Sequence, residues 1–143
     1  MSKQEEAGLI LKLYELRREA TMREARDWYF REFNPKSIAD FGAAMFGPHS
    51  GHLRMVVTYW EMAAALVNNG AIGLEMFTEA NGEHIGVFAK IEPLLGEIRA
   101  GFAAEYLVQF EKLIDATPNG RKRTVEARER LGRYQAQMSK AGA

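Results

Sequence analysis

LRMVVTYWEMAAALV, residues 53–67, has only two formal charges, Arg54 and Glu61, and runs into Asn68-Asn69-Gly70. The run is long for a strand and contains no breaker. It therefore reads as a helix of about four turns, closed by Gly70 in a left-handed cap. At about 1.5 Å rise per residue it falls short of the roughly twenty apolar residues that a bilayer crossing needs. The expectation is a nearly surrounded central helix, spanning about 50–69, in a soluble helical bundle.

At 100° per residue, Ser50, Arg54, Thr58, Glu61, Ala65 and Asn68 fall in one sector of roughly 80°. The other directions are apolar, with Leu53, Val57, Trp60, Ala64 and Val67 on one side and Met55, Tyr59, Met62 and Leu66 on the other. A lone buried carboxylate costs several kcal/mol or stays protonated, so Glu61 needs a partner. The polar seam is a solvent window, an internal hydrogen-bond network or the lining of a small ligand cleft.

On the N-terminal side, residues 4–33 read as one long helix. Its apolar stripe rotates: Leu9, Leu13, Leu16 and Ala20 share one face, whereas Met22, Ala25, Tyr29 and Phe33 share another. The two halves are thus expected to meet different neighbours, one of them a second subunit. Charge pairs at helical spacing, Glu15/Arg18 and Glu19/Arg23, mark a solvated face. Asn34-Pro35 ends the helix. Ser37, with Asp40 three residues on, opens a short helix through Phe46 that points Ile38, Phe41, Met45 and Phe46 at the core.

On the C-terminal side, a short helix is expected from Gly73 or Leu74 to Ala80, broken at Asn81-Gly82. His84, Phe88, Ile91, Leu95, Ile98 and Phe102 then follow at alternating steps of four and three. That is a heptad-like seam of about five turns, with Pro93 inside it as a kink. Further helices are expected over 104–114 and 124–138, separated by the Thr117–Gly120 turn. The stripe of the last, Ala127, Leu131, Tyr134 and Met138, is narrow, which suits a peripheral helix or one docked on a partner. Residues 1–5 and 139–143 are expected to fray.

Composition limits the chemistry. The chain has 143 residues, 47% apolar and 27% charged, with 19 basic against 19 acidic side chains. A length of this order suits one domain, residues 1–143, with a core of its own. Balanced charge gives no field for nucleic acid, and the Arg121-Lys122-Arg123 cluster is diluted by Glu126 and Glu129. No cysteine is present, which removes disulfides, thiolate catalysis and zinc–thiolate sites. The N-terminus shows no signal peptide, and a cytoplasmic setting is expected. No phosphate loop, nucleophile elbow or dinucleotide fingerprint occurs.

The histidines offer weak candidates. His49 and His52 lie three apart but form no His-Glu-x-x-His or Glu-x-x-His pattern, so no metal ligand is assigned. His84 occupies an apolar-stripe position; its structural role would be a backbone hydrogen bond at the end of the seam, its functional role a titrating contact.

The phrases YWEMAAALVNNGAIGLEMFTEA (59–80), ARDWYFREFNP (25–35) and ANGEHIGVFAK (80–90) resemble small, all-helical, acidobacterial-like bacterial proteins of unknown function. The resemblance covers about half the chain, rests on packing residues and implies an all-α fold with no catalytic residue or cofactor to carry over.

The sequence therefore leads to an all-α bundle of five to seven helices around the central one. Its expected function is that of a non-catalytic interaction or regulatory module that self-associates as a homodimer. No cofactor, metal, nucleic-acid or membrane partner is expected. The competing class is a small-molecule-binding protein or enzyme that uses Arg54, Thr58 and Glu61 with His84 or His52 facing them.

Overall fold

In the computed structural model, which describes residues 2–142, every regular element is helical. Chain order is α1 (Lys3–Arg17), α2 (Ala20–Arg31), α3 (Ile38–Met45), α4 (Ser50–Asn68), α5 (Leu74–Ala80) and α6 (Glu83–Ile91). A 3₁₀ turn (Glu92–Leu94), α7 (Leu95–Gly101), α8 (Val108–Ala116) and α9 (Gly120–Ala141) follow. The α-helices number nine among the described residues, above the expected five to seven.

The expected central helix is α4. Leu53, Val56, Val57, Trp60, Ala63, Ala64 and Val67 are buried, and α4 lies between α2 and α8. It ends as its sequence requires: Gly70 has φ +82°, and Ala71 N–H reaches back to the Leu66 carbonyl at 2.9 Å. Burying a side chain the size of Leu53 or Trp60 contributes about 1.5–3 kcal/mol, so this face alone organises much of the core.

Two differences raise the helix count. Residues 4–33 are not one helix, because the chain turns at Arg18-Glu19 and the Glu19 carboxylate caps α2 by accepting from Met22 N–H at 3.1 Å. The rotated stripe is the trace of that break. Ile10 and Leu13 are buried from α1, and Met22, Ala25, Trp28 and Tyr29 from α2, while Leu16 and Ala20 lie exposed. The second break is at Pro93, where the long seam passes through the 3₁₀ turn between α6 and α7. His84, Phe88, Ile91, Leu95 and Ile98 are all buried within this chain, so only Phe102 is left at the surface end of the seam.

Other boundaries move as well. The chain turns over 103–107 instead of starting a helix at 104, and Leu107 takes φ +54° with its side chain buried. Helix α9 begins at Gly120, where an added Cβ would sit 1.9 Å from the Ile114 carbonyl oxygen, a place that only glycine fits. Ser37 caps α3 as expected, accepting from Asp40 N–H at 3.2 Å. Phe41 and Met45 reach the core, but Ile38 and Phe46 do not. At the N-terminus Ser2 and Glu5 form a reciprocal capping box. Among the described residues, no helix is long and apolar enough to cross a membrane.

Candidate functional site

The polar seam of α4 divides in two. Its first half faces outward: Arg54 and Thr58 are exposed on a shallow groove beside Met55 and Met62, and the Thr58 hydroxyl donates back to the Arg54 carbonyl at 2.5 Å. Its second half faces α8. Glu61 accepts from Phe110 N–H at 2.7 Å and Gln109 N–H at 3.2 Å. Seven residues on, Asn68 donates to the Gln109 carbonyl at 2.9 Å and to its side-chain oxygen at 3.0 Å.

The cause lies in α8. A helix leaves its first four N–H groups without internal partners. Leu107, the residue at the cap position, has no side-chain acceptor and sits in left-handed geometry. Glu61 supplies the cap from another helix, and its negative charge meets the positive end of the α8 dipole. Of the three meanings open to the seam, its inner half is thus a hydrogen-bond network and its outer half a solvent window.

Capping across elements recurs throughout the molecule. Glu6 of α1 accepts from Gly73 N–H at the start of α5. Lys90 of α6 closes the end of α2, donating to the Tyr29 and Phe33 carbonyls at 2.7 Å each, to Asn34 Oδ1 at 3.0 Å and to the Phe30 carbonyl at 3.3 Å. Gln135 of α9 adds donations to the Phe30 and Arg31 carbonyls. The Arg128 Nε donates to the Ala89 carbonyl at 2.8 Å. Burial draws the Lys90 ammonium down to about 8, which leaves it charged at neutral pH.

The histidines do not join the seam. His84 has no exposed surface; its ring lies 5.4 Å from Trp60, 5.2 Å from Phe77 and 6.4 Å from Phe110, centroid to centroid. Neither ring nitrogen has a hydrogen-bond partner, so the expected backbone contact is absent. Burial lowers its pKa to about 4, helped by the positive Arg123 and Arg17, and the imidazole is neutral at physiological pH. It meets the seam only through Phe110, whose ring it faces and whose N–H binds Glu61. His52 lies elsewhere, against Trp28, with His49 stacked on the same indole at 5.2 Å. Among the described residues, no three His, Asp or Glu side chains converge as a metal site would require.

Sequence reasoning missed Lys90 and the aromatic surface at Phe46. Lys90 had a signal, since it stands in HIGVFAKI, a run apolar on nearly every side. Phe46 and Phe102 follow the last residues of α3 and α7, where helical phase no longer says which way a side chain points. Their rings meet edge to face at 5.9 Å, and Phe102 continues to Phe41 at 6.3 Å and Tyr106 at 6.2 Å.

Fold and site define an all-α protein in which several polar side chains close the ends of neighbouring helices. The chain belongs to the family described as Domain of unknown function (DUF4760), whose model matches residues 4–117. Searches of curated proteins and of solved structures found no match.

Proposed function

We propose that this protein is a non-catalytic helical interaction module that self-associates as a homodimer, through the aromatic surface of Phe46 and Phe102. The exposure of these two rings carries the reading: Phe46 is 77% exposed and Phe102 48%, side by side. Exposed aromatic rings of this size are the side chains that supply binding energy when a partner covers them. Ile38, 38% exposed on the helix that leads to Phe46, adds apolar surface on α3. Tyr106, which packs on both Phe41 and Phe102, has a buried hydroxyl without a hydrogen-bond partner.

A second copy is the partner we favour, because a two-fold arrangement sets the same patch against itself and the formal charge of zero creates no long-range repulsion between copies. The competing reading, a small-molecule site or enzyme built on Arg54, Thr58 and Glu61 with His84 or His52, has less support. Glu61 is committed to α8, and His84 and His52 lie in separate aromatic surroundings. We place the protein in a bacterial cytoplasm, a setting that the cysteine-free sequence and the bacterial resemblance support. Light scattering across a dilution series tests the self-association. A mass that doubles as concentration rises supports it, and a monomer throughout contradicts it.

A further inference from the structure

A cleft of about 320 Å³ opens between the middle of α9, the end of α6 with its 3₁₀ turn, and the link that follows α2. Pro35, Ala89, Pro93 and Leu131 give it apolar walls, and Lys36, Lys90 and Arg128 bring positive charge to it. Among the described residues, no carboxylate lines it. We propose that this cleft binds a small organic anion, a single carboxylate carried on an apolar body.

Charge and shape both lead there. The Lys90 ammonium, 9% exposed, is held by carbonyls and an amide oxygen, all of them neutral. Its positive charge is therefore answered by dipoles and by no opposite ion, in a setting where water screens poorly. Arg128 is paired with Glu92, but Glu92 stands outside the cleft and also binds Arg121. A carboxylate entering the cleft meets Lys36 and Lys90, neither ion-paired among the described residues, beside Arg128, whose charge Glu92 already pairs. The remaining wall rewards an apolar body, and the volume is at the lower end for small-molecule sites.

Helix α9 keeps one wall open. Arg128, Leu131, Gly132 and Gln135 fall on one helical face, and a Cβ added at Gly132 would meet nothing within 4 Å. Close packing therefore does not account for this glycine in the interior of a long helix, where glycine disfavours the helix. Its consequence is space in the cleft. The family match ends at Thr117, so this wall belongs to a part of the chain that the family's shared region does not include.

The test uses octanoate as the probe, with octan-1-ol and octylamine as neutral and cationic counterparts of the same length. Octanoate titrated into the full chain is expected to shift the backbone amide signals of Ala89, Leu131 and Gly132 saturably, and more tightly than either counterpart. Gly132→Leu fills the cleft and should abolish the shifts while leaving the fold intact. Lys36→Glu, a change at an exposed position, should weaken binding several-fold without touching the core. The proposal is overturned if octanoate shifts nothing at millimolar concentration, if octan-1-ol binds as tightly, or if Lys36→Glu binds as the parent does. Shifts confined to Phe46 and Phe102 also overturn it, since they would place the probe on the aromatic surface.

Discussion

Glu61 and Phe110, 49 positions apart, are joined by a hydrogen bond of 2.7 Å from the Phe110 N–H to the Glu61 carboxylate. The bond ties the middle of α4 to the first turn of α8, whose own cap position offers no acceptor. The single acidic residue of α4 thus serves as a cap for another helix.

Removing that cap should weaken the fold by a helix-capping amount. Glu61→Ala is expected to cost about 1–2 kcal/mol, and Glu61→Gln, which keeps an acceptor but not the charge, less. Urea titration gives the size. Amide exchange gives the place, with protection falling first at Gln109 and Phe110. Unchanged exchange there in Glu61→Ala would contradict the capping role.

His84 predicts a pH dependence of known sign. Its pKa is depressed in the fold, from 6.5 to about 4, so below about 6.5 the unfolded chain binds a proton that the native protein does not. The contribution is fully present above that pH and is lost as pH falls towards about 4. A shift of this size corresponds to about 3 kcal/mol. Urea midpoints near pH 7 and near pH 4 should therefore lie closer together in His84→Leu than in the parent.

Lys90→Met should be more damaging than its chemistry suggests. The methionine fits the apolar surroundings but leaves the carbonyls of Tyr29 and Phe33 without the donor that closes α2. The expected loss is about 2–4 kcal/mol by denaturation. A variant as stable as the parent would mean that desolvation of the ammonium cancels its contacts.

Arg121 makes a contrasting case at the surface. It binds Asp115 at 2.6 Å, Glu92 at 2.7 Å and Glu111 at 2.8 Å, which links α8, α9 and the 3₁₀ turn. Its side chain is 43% exposed, so Arg121→Ala should cost only about 1 kcal/mol or less, and the difference should shrink in high salt.

Most of the fold was legible, because local chemistry writes helix ends into the sequence. Ser37, Gly70 and Pro93 each act on their immediate neighbours, and each does what its residue type requires. The break at Glu19 was visible only as a rotated stripe, since glutamate is an uncommon cap and no glycine or proline marks the turn. The 103–107 turn left no mark, because Leu107 is an ordinary apolar residue forced into left-handed geometry by packing. The polar seam was recognised as a face of α4, but its partner was not. Glu61 meets α8, Lys90 meets α2 and Glu6 meets α5 across long separations that no periodicity encodes. His84 was placed correctly on an apolar face, and its lack of a hydrogen-bond partner is a property of the three rings around it.

The aromatic surface carries the functional claim, and sedimentation velocity on the parent chain and on Phe46→Ser/Phe102→Ser tests it most directly. Phe46 is largely exposed and Phe102 only half so, packed on Phe41 and Tyr106, so the double variant should remain folded with a modestly lower thermal midpoint that comes from Phe102. A concentration-dependent dimer is expected for the parent and a monomer for the double variant under the same conditions. A parent that sediments as a monomer at every concentration, or a double variant that dimerises as the parent does, would contradict the claim.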